Sequence, residues 1–460
     1  MQIIILSILG FIIVIFMFVL NLPLYQITGI SGEALSANIP QFLIYFFAAF
    51  ISYFLAIYNL KKKNQYSETK GRKKILILIF LTILMRVPFF LSDPLPSLSD
   101  DIYRYWWDGK VQYNGNNPFE YPPIQNPQEL LTSNNIDDYA LYGEINHPEI
   151  PTIYAPFMQT IFYAAYSIHP SVMSFKIIFA LFDLLTIVFI ILWLKKIYIP
   201  KSSFIIYAWN PLLLIEFYHN SHSDSLLCLL IVLVLYLYNA SKKELSIITL
   251  SFLTLTKYFA IIFLPFYYKK VSFRYFIIYF IIIISFYIYY FDKNLFIGLF
   301  TYSRDWEYNS FLYKGLSYFF NFSYRFFSHD IIIPDFLKQV PKLILGIIFL
   351  WIYWKKWKEV LNDDSLFVKN FYYVIGCLLL FSPVFHPWYI SYILPILVIY
   401  YSKSWIIFSG LISLSYITLI GYNKLDPTTW QENIYVVFIE YIPLYSFFII
   451  DYLRSKRKVD

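Results

Sequence analysis

Apolar residues in this chain come in long runs, at about 2–21, 40–60, 74–92, 172–194, 203–219, 224–240, 272–291, 336–354, 366–383, 387–402, 404–421 and 434–453. A helix rises about 1.5 Å per residue, so roughly 20 apolar residues cross a hydrocarbon core of about 30 Å. Helices satisfy their own backbone in lipid, and no strand-length alternation recurs to suggest a barrel. The pattern predicts an all-α, polytopic transmembrane helical bundle of about 12–14 spans.

Two runs resist simple counting. Leu245 to Tyr267 is one span long, yet Lys242/Lys243 before it and Lys269/Lys270 after it belong on the same side. A hairpin of two short helices with Thr256-Lys257-Tyr258 at its tip resolves the conflict. The run 152–168 opens after Pro151 and contains Pro156, which predicts a helix that dips into the outer leaflet and returns.

Composition agrees: 59% hydrophobic and 14% charged residues, with a mean hydropathy of +0.57, lie outside the soluble globular norm. The first run lacks a basic start and a small-residue cleavage site and reads as a retained span. Cys228 and Cys377 both fall in predicted helices and give no disulfide framework or metal spacing.

Charge sets the expected sidedness. The segment from Lys61 to Lys74 is strongly basic, hence cytoplasmic by the positive-inside rule. Alternation then puts 24 of the 36 Lys and Arg residues inside, with both termini. The expected extracytoplasmic segments are 93–171, 292–335 and 422–433, with short ones at 219–223 and 384–388. All belong to one integral-membrane domain over 1–460, in which 1–60 supplies two additional N-terminal spans. The net charge of +7 serves topology and attraction to anionic lipid, with no sign of nucleic-acid binding.

The candidate chemistry lies on the outer segments. Ser99-Asp100-Asp101 opens a predicted helix to Gln112, with Ser99 or Asp100 as N-cap and Asn114-Gly115 as the stop. Helical spacing puts Asp101, Arg104, Tyr105 and Asp108 on one face. Carboxylates beside lipid need a partner or a purpose, so the segment reads either as an acid/base centre or as a capped interfacial helix anchored by Trp106 and Trp107. His219, His222 and Asp224 could bind a metal, or hydrogen-bond phosphate or sugar hydroxyls, or Asp224 could simply cap the next helix. Lys257 is a phosphate partner if the hairpin brings it outward, and a snorkelling lysine otherwise. Arg304, Trp306 and Asn309 offer a guanidinium, an aromatic platform and an amide, or a surface salt-bridge helix. His386, Trp388 and Tyr389 put a titratable ring between prolines, or merely a packed one. Asp183, within a span, reads as a bond to a neighbouring helix. Walker, HExxH, CxxC and serine-elbow motifs are lacking.

Five segments in this order, Ser99-Asp100-Asp101 with Tyr103-Arg104-Tyr105 and Asp108-Gly109, Ile153-Tyr154-Ala155-Pro156, Trp209-Asn210-Pro211 with His222 to Asp224, Arg304 to Asn309, and His386-Pro387-Trp388-Tyr389, resemble the GT-C superfamily of integral-membrane glycosyltransferases. The likeness is greatest to bacterial polyprenyl-phosphate-mannose-dependent mannosyltransferases and covers about 74–400. It implies GT-C-like extracytoplasmic loops and a multi-pass enzyme in the bacterial inner membrane. It also implies an inverting transfer from a polyprenyl-phosphate sugar donor to a glycan or glycolipid acceptor. No cofactor is then required, although a divalent cation could take part. In such enzymes an Asp of the first outer loop is the general base, which here means Asp101 or Asp100, with Asp101 favoured by its shared face with Arg104 and Asp108. Tyr154-Ala155-Pro156 departs from the more usual Tyr-Pro-Pro. Rival readings are a transporter or flippase of lipid-linked sugars and a surface-polysaccharide polymerase or ligase.

Overall fold

The computed structural model describes residues 2–21, 32–63, 71–91, 98–125, 136–328, 334–422, 426 and 429–456. Ser97, most of the basic stretch after Lys63, and Arg457 with Lys458 lie outside the described residues.

Every apolar run is helical, and among the described residues there is no strand. Among the described residues six helices are long and apolar enough to cross a membrane: Gln2–Leu20, Asn38–Lys62, Val172–Lys196, Phe336–Asn362, Asp364–Phe381 and Ile434–Arg454. Asp224–Asn239, Phe273–Tyr289 and Lys403–Leu419 are apolar but shorter. The bundle is therefore all-α and polytopic, with several runs broken into pieces. The run 203–219 divides at Asn210-Pro211: Pro211 has no N–H, and the Asn210 side chain accepts from the Leu212 N–H at 3.0 Å to restart the helix. A break at membrane depth survives only where protein covers it, and Phe204 to Phe217 are buried throughout.

The hairpin exists. Lys243–Thr254 runs up, Leu255 to Lys257 turn, and a tighter helix Tyr258–Tyr267 runs back. Its two ends meet at Asp364, which pairs with Lys243 and, at 3.3 Å, with Lys270. Pro156–Ile168, at 13 residues, is about 20 Å long and too short to span. It packs instead against Asp101–Tyr113, where Tyr105 stacks on Phe162 at 4.6 Å. A Cβ on Gly109 would stand 2.6 Å from the Phe162 carbonyl, so this crossing requires glycine there.

Basic groups gather at one end of the bundle. Lys74 Nζ lies 3.5 Å from both Gln2 and Ser202, Gln2 bonds the Asn59 carbonyl, and Lys61 sits over the Tyr401 ring. Lys243–Thr254 runs from Lys243 at its start to the turn that carries Lys257.

Candidate active site

The helix Asp101–Tyr113 starts and stops close to where its sequence says, with Asn114 as C-cap and Gly115 at φ +81°. The Asp101 N–H lies 3.4 Å from Ser99 Oγ, and Asp100 makes no capping bond with its side chain. Asp100 instead faces Asn146 at 3.4 Å. Along this helix Arg104 donates to Asp108 at 2.9 Å and to the Ile150 carbonyl. Asp108 is 1% exposed and also accepts from Thr152 and Gln159. Arg104 and Asp108 thus tie the helix to the returning loop, while Asp101, with its side chain 29% exposed, faces a different neighbourhood.

That neighbourhood is assembled from four separate stretches. His222 brings Nδ1 to 3.4 Å from Asp101 Oδ2, and Tyr105 donates to the same oxygen at 3.4 Å. The His222 ring stacks on Trp388 at 4.0 Å, Trp388 stacks on His386 at 4.4 Å, and His386 stacks on Tyr308 at 4.8 Å. Lys257, at the hairpin tip, lies 3.4 Å from Asp224 and over the rings of Tyr389 and Tyr392. Tyr392 donates to Asp224 at 2.7 Å, so Asp224 holds the lysine in place. Tyr389 and Tyr302 share a hydroxyl contact at 3.0 Å, which leads on to Trp306, stacked on Tyr302 and edge-to-face with His147.

Asp101, His222, Asp224, Lys257, His386, Trp388 and Tyr389 are therefore neighbours. Arg304 and Asn309 have other surroundings. The Arg304 side chain is 70% exposed and forks onto Asp305. Asn309 is buried, with its backbone N–H on Glu432 and its side chain on Glu440. Beside it, paired backbone bonds between Tyr308 and the 383–385 turn fix the His386 segment. Glu216 is the residue that sequence reasoning passed over: it is fully buried, with Oε2 at 3.2 Å from His222 Nε2. Its signal was an acid inside an apolar run, just after a helix-breaking Asn-Pro.

Electrostatics at these segments follow from the contacts. Burial pushes the Asp101 carboxyl up, but the His222 contact and the charges of His222 and Lys257 outweigh it and hold the group below the ordinary carboxylate range. Burial alone would lower His222, yet Asp101 and Glu216 raise it to about 9. His386, with no carboxylate in contact, is pulled down by burial to about 3 and stays neutral. At neutral pH the cluster thus holds an ionised Asp101 between a cationic imidazole and a lysine. Among the described residues no group of three His, Cys, Asp or Glu side chains is arranged to hold a metal ion.

Residues 34–271 match the family described as alpha-(1->6)-mannopyranosyltransferase, N-terminal domain. The chain belongs to that family of GT-C-type mannosyltransferases. The matched span takes in the Asp101 helix, the broken Asn210-Pro211 segment, His222, Asp224 and Lys257, so most of the cluster falls within it. No curated protein and no solved structure matches the chain.

Proposed function

We propose that this mannosyltransferase takes its sugar from a polyprenyl-phosphate donor at the extracytoplasmic face of a bacterial inner membrane, with both termini cytoplasmic. The acceptor is a lipid-linked or surface glycan, and the anomeric centre is inverted. The observation that carries the reading is the half-open Asp101 carboxylate with two cationic side chains, His222 and Lys257, in its neighbourhood. An acceptor hydroxyl attacks the anomeric carbon while its proton passes to Asp101. The bond from that carbon to the phosphate oxygen breaks with its electron pair, and polyprenyl phosphate leaves beside Lys257. A phosphate leaving group needs charge neutralisation and alignment more than covalent help, which a carboxylate and a cation supply. Family membership favours transfer over the transporter reading.

Purified protein given polyprenyl-phosphate mannose and a mannosyl acceptor should release polyprenyl phosphate. Turnover with a nucleotide sugar alone would sink the donor assignment. Lys257→Met should raise KM for the donor, because Asp224 holds that ammonium beside the tyrosines; an unchanged KM would remove Lys257 from the phosphate site. Sidedness has its own test. Cysteines replacing Glu149 and Ser241 should react with an impermeant reagent from opposite faces of the membrane, and labelling of both from one face would refute the topology.

A further inference from the structure

Glu216 has no part in the steps above, yet a fully buried acid in an apolar run is costly to keep. Its segment departs from regular helix to place it. Ile215–His219 is wound as a wide π-type turn, Ser221 adopts φ +57°, and the His222 N–H returns to the Glu216 carbonyl at 2.8 Å. Such turns inside helices recur at functional sites. The fold-back sets the His222 ring between two carboxylates, Asp101 on Nδ1 at 3.4 Å and Glu216 on Nε2 at 3.2 Å. Glu216 is itself fixed by Asn220 at 2.9 Å and by the Tyr416 hydroxyl, and Trp388 covers one ring face. The ring is 0% exposed, so neither nitrogen is open to a sugar hydroxyl.

Resting on the reading of Asp101 as the base, we infer that His222 is a positioning residue, clamped by Glu216 so that its other nitrogen orients and charge-balances Asp101. Sequence spacing makes His222 a substrate contact; in the fold each of its ring nitrogens has a protein carboxylate within 3.4 Å. The acceptor proton goes to Asp101 and from that partly exposed carboxyl to water, and His222 keeps both of its own throughout turnover. Other groups reach the same place from every side. Lys257 comes from the hairpin, His386 from the 384–388 turn, Asp224 from the next helix, Tyr105 from the Asp101 helix and Tyr416 from the Ile412–Leu419 segment. Of these, only Lys257 is a second lasting cation, so losing the imidazolium leaves Asp101 markedly easier to protonate.

Two measurements decide it. In protein labelled with ¹⁵N-histidine, the His222 resonance should stay imidazolium up to a pH of about 9, and should titrate lower in Glu216→Gln. In the rate profile, His222→Gln should move the acid limb up by roughly 1–3 pH units, lowering kcat with little change in donor KM. A neutral His222 at pH 7, a His222 titration unmoved in Glu216→Gln, or an unmoved acid limb in His222→Gln would overturn the inference. Glu216→Gln keeps size and hydrogen bonding, and the fall of its His222 titration decides the clamp if His222→Gln does not fold. The wild-type resonance needs no turnover at all. Loss of the Asp101 reading would appear separately, as an Asp101→Asn enzyme that still turns over while the His222 signal stands.

Discussion

Asp101→Asn should slow mannosyl transfer by roughly 10²–10⁴-fold, the usual range for losing a positioned general base. The amide matches the carboxylate in size and still fits the first turn of the Asp101–Tyr113 helix. What it cannot do is take a proton. The cost to folding is small, because a favourable acid in the first turn contributes only about 0.3–1 kcal/mol. Expression and thermal stability should therefore stay near wild type while turnover collapses. The pH profile gives a second reading. Asp101 sits below the ordinary carboxylate range, so the wild-type rate falls only when acid protonates it there, and that acid limb should vanish in the variant. Asp100→Asn is the control: its partner is Asn146, away from the His222 contact, and its rate should be close to wild type. Should Asp100→Asn be the variant that loses activity, the base is Asp100. Full activity in both would mean that this loop does no acid/base chemistry.

The fold was legible because lipid leaves few options. A run of apolar residues in this setting can only be helix, and the Lys242/Lys243 and Lys269/Lys270 pairs could share a side only by a hairpin, as their common partner Asp364 bears out. What pattern could not reveal was where helices break. Asn210-Pro211 interrupts an apolar run that reads as one span, and hydrophobicity is blind to a turn that is buried in protein. The same blindness explains the site. His222, Lys257 and His386 stood out as polar residues at predicted outer turns, and the fold gathers them. Glu216 did not stand out, since its reason for being there, the ring of His222 returning from a left-handed Ser221, is a tertiary fact. Arg104 and Asp108 show the converse. Spacing put them on one face with Asp101, but Thr152 and Gln159 claim Asp108 from 44 and 51 residues along the chain.

Arg86→Met should be the most destabilising single change in the bundle, at about 3–5 kcal/mol, because it strands a buried carboxylate. The Arg86 guanidinium follows Gly71–Leu84 and is 5% exposed, against 0% for Asp183 on the Val172–Lys196 helix. Two bonds at 2.9 and 2.8 Å join them. The rest of the guanidinium reaches the Thr82 and Ala208 carbonyls and the Tyr218 hydroxyl. Asp183 in turn accepts from Tyr207 and Tyr218. The pair therefore pins the turn that ends one helix to the middle of another and to both halves of the segment broken at Asn210. Sequence alone made Asp183 a bond between helices, and Arg86 is its partner. A salt bridge this deep adds little over apolar packing, but half of one is costly. Arg86→Met combined with Asp183→Leu should hence recover much of the loss, apart from what Tyr207 and Tyr218 forfeit as their hydroxyls lose an acceptor. Melting of the detergent-solubilised variants measures both. If Arg86→Met alone melts with the wild type, the pair is not what joins these helices, and Asp183 finds sufficient partners in the two tyrosines.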